Sequence, residues 1–455
     1  MEDRTQIIPS VDPNVTRMNA GITQMGGQPT QMLGGPLQTV MGSTGGTLQL
    51  EFLAGNQYAM APEVTRDHGL LILTAGDLQA GRRAPINVCL CIDRSGSMEG
   101  EPLEYVKRAC DYVVDMLEPD DILSIVTFEE QVDVLMPARK VLNKSLVKEH
   151  IHRLSVGNTT NLYDGLIAGC MQIASVQQVS QGYVNRVLLL TDGEPTVGLK
   201  DYTSIVQQVA EQKARGITVT ALGFGPDYRE ELMSGIARRS GGNYYYIQRP
   251  DLLPEVFRRE LESLMHVVAK NVKVKFHLSR WVQMRQVYGQ QPTFGPRTVE
   301  VSVPDIERGT TRTLLVDVEL DKHPAGTYRV VRAEVTFDDV IFNRPSTLSA
   351  DCTFQFTNDR TLVQAGVNRT VATEIEIAQA SINLQRTMMG LKTQQLTAMG
   401  ALSELQKTRT ILMQAGQTDQ AQQVDAAIAG LQRGTGDVDK TLMGAALQLD
   451  QGTRK

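Results

Sequence analysis

Hydrophobic positions recur along this chain in three rhythms, and each rhythm predicts a different kind of structure. Between residues 46 and 83 the period is two: Leu48, Leu50 and Phe52 alternate with polar neighbours, and Leu70-Leu71-Ile72-Leu73 is a second short apolar run. From 84 to 265 strand-length apolar runs alternate with helical stripes, the pattern of a doubly wound, mostly parallel α/β sheet. Its strands are Ile86 to Ile92, Ile122 to Phe128, Val187 to Leu190 and Ile217 to Phe224. Leu103, Val106, Cys110, Val113 and Leu117 fall at helical spacing, and Pro254 to Leu264 forms the closing helix. Tyr244-Tyr245-Tyr246 reads as a strand edge rather than a stacking platform.

The period returns to two from 266 to 357. Val272, Val274, Phe276 and Leu278 share a face, as do Leu314, Val316, Val318 and Leu320, and then Val331, Ala333, Val335 and Phe337. Such strands predict an antiparallel sandwich, which the strands of 46–83 would join, making the α/β part an insertion. From 358 to 455 the chain is Gln-rich and helical. One expected stripe is Val371, Ile375, Ala378, Ile382 and Met389; another is Val424, Ala427, Ile428 and Leu431. Gly416, Gly430, Gly434 and Gly436 are read as separators of short helices.

Residues 1–45 have no such rhythm. Thr16-Arg17-Met18, Thr23-Gln24-Met25 and Thr30-Gln31-Met32 repeat every seven positions, but the Gly and Pro between them deny a coiled coil, leaving a flexible tail. Thr5 and Thr30 each precede an apolar residue by three positions. This resembles the phosphothreonine peptides read by forkhead-associated domains, so Thr5, Thr23 and Thr30 are candidate phosphorylation sites.

Composition narrows the function classes. The 455 residues carry a net charge of −6 and no dense basic stripe, which argues against nucleic acid as a partner. No apolar run approaches the roughly 20 residues of a membrane span, and no signal-peptide core follows the start. The five cysteines lack metal spacing and read as buried thiols, which suits a cytoplasmic protein.

The chemistry concentrates in three segments. Asp93-Arg94-Ser95-Gly96-Ser97 follows the first parallel strand and sets one carboxylate and two hydroxyls at alternate positions, a cradle for a hard divalent cation. Asn158-Thr159-Thr160-Asn161-Leu162 opens a helix. Thr191-Asp192-Gly193-Glu194 ends another apolar run. Sites in open parallel sheets form outside the carboxyl ends of strands, so Asp93 and Asp192 are expected to meet there.

Together these segments resemble the metal-ion-dependent adhesion site of von Willebrand factor type A domains of bacterial type. The resemblance implies Ser95, Ser97 and Thr160 as hydroxyl ligands of Mg²⁺ or Mn²⁺, with Asp93 and Asp192 binding directly or through water. Thr160 is preferred to Thr159 because it directly precedes Asn161-Leu162. Three neutral hydroxyls leave the cation under-neutralised, so a partner's Asp or Glu suits its open position. The resemblance further implies a closing helix that shifts on ligand capture, and ATPase partners for some relatives. The expected function is a scaffold or adaptor; the alternatives are a surface adhesin or a channel-associated protein. A hydrolase using Glu194 as a base is disfavoured, since His150 and His152 are two apart on a helix and no nucleophile–base pair is evident.

Overall fold

The computed structural model describes residues 46–77, 83–178, 182–225, 228–434 and 438–454. Thr5, Thr23 and Thr30 lie outside them.

Among the described residues, a six-stranded sheet has the order Val132–Lys140, Ile122–Phe128, Ile86–Asp93, Val184–Thr191, Thr218–Phe224, Tyr244–Ile247. All neighbours are parallel except the first pair. Strand order reverses between Ile86–Asp93 and Val184–Thr191, which makes their carboxyl ends the switch point of a doubly wound sheet. Both faces of the inner strands are covered, so Ile86–Asp93, Ile122–Phe128 and Thr218–Phe224 are buried along their whole length rather than at alternate positions. Val88, Leu90 and Ile92 pack against the helices Glu101–Met116 and Leu253–Met265. Cys89 and Cys91 face the helix Leu162–Ser175 on the other side. All five cysteines are buried free thiols. Val132–Lys140 is an edge strand that the apolar pattern does not predict. Its exposed Pro137 and flanking charges protect that edge from pairing with another chain.

Close helix–sheet approach depends on glycine at one position. A Cβ on Gly165 would lie 2.6 Å from the Phe128 ring. Gly165→Ala is therefore expected to push the helix Leu162–Ser175 off the sheet and cost about 1–3 kcal/mol, read as a lower urea midpoint at unchanged slope.

Two antiparallel-rich sheets form the sandwich. One has the order Leu48–Ala54, Thr65–Ala75, Thr311–Leu320, Val282–Val287; the other runs Thr293–Gly295, Thr298–Ser302, Val267–Leu278, Gly326–Asp339, Arg344–Thr357, Tyr58–Met60. Their inner faces share one core that includes Leu48, Phe52, Leu71, Phe276, Val316, Val335 and Phe354. The early strands thus pair with strands found beyond the α/β part, which is inserted between Thr65–Ala75 and Val267–Leu278.

The C-terminal segment is helical, with the long helix Arg369–Lys392 buried along two faces rather than one. Val371 packs with Leu70 and Leu315 of the sandwich, while Ile377, Ala380, Leu384 and Met388 face the helices Ala398–Gln414, Thr418–Arg433 and Val438–Asp450. The expected stripe through Ile382 and Met389 is displaced for that reason, and Met389 is exposed. Gly416 and Gly434 do end helices, at φ 74° and 72°, but Gly430 is buried inside Thr418–Arg433. Leu447 of the last helix packs into the α/β core beside Tyr244, and Thr453–Arg454 adds to the sandwich by pairing with Thr311–Arg312. Among the described residues no helix is long and apolar enough to cross a membrane.

Candidate metal centre

The strand Ile86–Asp93 is buried along its whole length and delivers Asp93 to the switch point with 0% exposure. There the chain turns sharply. Asp93 Oδ1 accepts the Ser95 amide at 2.8 Å, and a 3-10 turn, Gly96–Met98, follows and is anchored by the fully buried Met98. This local bond fixes one oxygen of the carboxylate against the turn that carries the two serines.

The neighbouring strand supplies the second carboxylate. Thr191 Oγ1 donates to Asp93 Oδ2 at 2.5 Å, and Ser97 Oγ donates to Asp192 Oδ1 at 2.8 Å. The Ser95 and Ser97 hydroxyl oxygens are 3.1 Å apart. Four of the five sequence-derived residues therefore form one hydrogen-bonded group across two parallel strands.

Thr160 arrives on a third segment held by the other two loops. Gly157 N–H donates to the Arg94 carbonyl at 2.6 Å, and Asn161 N–H to the Glu129 carbonyl at 2.8 Å. Thr160 N–H donates to Thr196 Oγ1 at 2.8 Å, and Thr196 N–H returns a bond to the Thr160 carbonyl at 2.9 Å. A Cβ placed on Gly193 would sit 3.6 Å from Thr160 Oγ1 and 3.7 Å from Ser97 Oγ, so both hydroxyls converge on that glycine. Thr159 Oγ1 is instead buried without a hydrogen-bond partner. The site is thus lined by two carboxylates and three hydroxyls, all oxygen donors, which is a set that could hold a hard divalent cation. No group of three or more His, Cys, Asp or Glu poised for a metal occurs among the described residues.

Electrostatics follow from burial. Desolvation pushes the Asp93 carboxyl up to about 6; the bonds from Thr191 and Ser95 pull it down, while the nearby Asp192 charge pushes it further up. Arg94 gives the site no compensating charge, because its guanidinium pairs with Asp133 at 2.9 Å and Glu129 at 3.4 Å. Glu194 is exposed. His152 pairs with Asp111 at 2.8 Å on the helix Lys144–His152. The sequence reading overlooked the positioning roles of Thr191, Thr196 and Glu129. Only Thr191 carried a signal, as the residue preceding Asp192-Gly193.

A doubly wound sheet with an oxygen-donor site at its switch point defines an α/β binding fold. The family model for the von Willebrand factor type A domain matches residues 87–259. The chain therefore carries a von Willebrand factor type A domain, a module that mediates protein–protein interaction and often binds metal. An uncharacterized protein of Synechocystis is 28% identical over 313 residues, 66% of this chain and 73% of that protein. YfbK of Escherichia coli, also uncharacterized, is 28% identical, the match covering 59% of this chain and 48% of YfbK. Bovine inter-alpha-trypsin inhibitor heavy chain H1 is 30% identical over 49% of this chain but only 26% of its own length. Among solved structures, a von Willebrand factor type A protein from Catenulispora acidiphila superposes with a TM-score of 0.69 at 18% identity, covering 85% of this chain and 91% of that one. The ArnB paralog VWA2 from Sulfolobus acidocaldarius gives 0.61 at 16% identity, covering 89% and 98%. These two likenesses extend the shared fold well beyond the family match, into the sandwich and helices.

Proposed function

We propose that this protein is a non-enzymatic adaptor, acting in the cytoplasm, that captures an acidic residue of a partner protein at a divalent-cation site. The observation that carries this reading is the meeting of Asp93, Ser95, Ser97, Thr160 and Asp192 from three separate segments at one switch point. Mg²⁺ or Mn²⁺ bound there would supply a positive centre for the partner's carboxylate. The chain's own residues do the rest. Asp93 and Asp192 would provide the negative charge that holds the cation, while Ser95, Ser97 and Thr160 would offer neutral oxygens and so leave the positive charge only partly cancelled. Ser95 N–H and Thr191 fix the orientation of Asp93. Phosphorylation of Thr5, Thr23 or Thr30 and its reading by a forkhead-associated protein rest on sequence alone, as does an ATPase partner.

The test is a pull-down from native lysate with wild type and Asp192→Asn, each in Mg²⁺ and in EDTA, read by mass spectrometry. A partner recovered only by wild type in Mg²⁺ is the expected result. The same partners in all four conditions would refute metal-bridged capture.

A further inference from the structure

We propose that the outer face of the sandwich carries an arginine-lined site for a ligand bearing two or more phosphoryl oxyanions. It goes beyond the adaptor reading and uses none of the same residues. A hollow of about 560 Å³ opens at one end of the sheet that contains Val267–Leu278 and Gly326–Asp339, and Arg280, Arg297, Arg329 and Arg332 line it.

The convergence is built, because these arginines come from two turns and a β-bulge. Arg329 and Arg332 are three positions apart and in a regular strand would point to opposite faces. The register of Gly326–Asp339 on Arg344–Thr357 shifts between Arg329 and Val331, so that Val330 and Val331 are both buried while both arginines face outward. Ser279 clamps the bulge: its amide donates to the Val330 carbonyl at 3.1 Å and its hydroxyl to the Arg329 carbonyl at 2.8 Å. That clamp places Arg280 beside Arg329. The turn carrying Arg297 is drawn in by the Leu278 amide, which donates to the Arg297 carbonyl at 2.9 Å. Trp281 closes one wall, its ring stacked on His323 at 4.4 Å.

Local acids do not neutralise this group. Asp351 is shared by Arg329 and Arg332 at 3.8 and 3.9 Å, and its Oδ1 accepts no hydrogen bond. Glu334 is the acid lining the hollow; Lys275, opposite it in the sheet register, is ion-paired with Glu300 at 2.7 Å. Four guanidiniums against two acids leave a net positive hollow on a chain whose net charge is −6. Planar guanidiniums favour bidentate contact with phosphoryl oxygens, and several of them favour a ligand with more than one such group.

The experiment is calorimetric titration of the full chain with inorganic pyrophosphate and, separately, inorganic phosphate, all in EDTA so that no cation at the candidate metal centre contributes. Pyrophosphate is expected to bind more tightly than phosphate, and R329Q/R332Q to weaken it roughly tenfold or more. R409Q, on the helix Ala398–Gln414, is expected to leave it unchanged. R280Q/R297Q provides a second pair, and an unchanged thermal midpoint shows that each variant is folded. No pyrophosphate binding, equal binding by R329Q/R332Q, or an equal loss in R409Q would overturn the site. Capture of RNA or anionic vesicles that pyrophosphate does not compete away would also overturn it.

Discussion

Asp93→Asn is expected to stabilise the metal-free protein at neutral pH and to abolish stabilisation by Mg²⁺. Burial raises the Asp93 carboxyl from 3.8 to about 6, so near pH 7 the fold carries an ionised group that it disfavours. A carboxyl with a raised folded pKa contributes stability that is fully present below its unfolded pKa and lost as pH rises through about 6. That difference is worth up to ~3 kcal/mol. Asparagine removes the charge and keeps one oxygen for the Ser95 amide; its NH₂ can donate to Thr191 Oγ1, whose proton can turn to the Gly193 carbonyl 3.2 Å away. One charge-assisted bond weakens, so a net gain of about 1–2 kcal/mol is expected. Alanine would be a poorer probe, since it strands the buried Ser95 amide at a position that is itself fully buried. In EDTA, wild type should lose thermal stability between about pH 4 and 6 relative to the variant, and at pH 7 Mg²⁺ should restore it only in wild type. Equal Mg²⁺ shifts in both proteins would remove Asp93 from the metal set.

The second large effect is expected far from that site. Glu260, on the helix Leu253–Met265, is fully buried beside the amino ends of Val184–Thr191, Thr218–Phe224 and the edge strand Tyr244–Ile247. It accepts from Asn243 Nδ2 at 2.8 Å, Tyr245 Oη at 2.9 Å and the Thr220 hydroxyl, with Arg186 Nη1 at 3.6 Å. Arg186 continues to Asp305 at 3.2 Å, whose backbone carbonyl accepts from Arg312 of the sandwich at 3.0 Å. Glu260→Ala leaves Arg186 buried with less compensation and strands three donors. The expected cost is about 3–5 kcal/mol in urea unfolding, against about 1–3 kcal/mol for Glu260→Gln, which keeps an acceptor. This network bears directly on the expectation that the closing helix shifts on ligand capture: any such movement must break or carry along the bonds at Glu260. An alanine variant within ~1 kcal/mol of wild type would show that the helix is not held there.

Particular residues explain what could be read from sequence. Asp93, Ser95, Ser97, Thr160 and Asp192 were readable because each lies in a short run whose spacing is itself the signal, and because apolar runs before Asp93 and Asp192 identify parallel strands. The full burial of Asp93 was not readable, since it depends on the neighbouring strand, whose Thr191 bonds to it from 98 positions away. Val132–Lys140 escaped notice because an edge strand exposed to water needs no apolar alternation, and Pro137 interrupts what there is. The helix Arg369–Lys392 misled because two buried faces blur a single 3.6-residue stripe. The bulge at Arg329 and the Glu260 network depend on pairings across long stretches of chain and have no local sign.

The insertion of the α/β part also sets the order in which the protein can assemble. Thr74 and Thr311 lie side by side in the sandwich yet are 237 positions apart. During synthesis the hairpin of Leu48–Ala54 and Thr65–Ala75 precedes its partners, with the free edge of Thr65–Ala75 and an apolar face awaiting strands still to be translated. Loop-closure entropy grows only logarithmically, ~0.6 kcal/mol per doubling of length, so distance alone does not prevent the pairing. An inserted unit that folds early shortens the effective loop and brings Val267–Leu278 back to the waiting hairpin. Slow folding of that unit would thus prolong exposure of the hairpin, making a variant such as Gly165→Ala aggregation-prone through strands it never touches.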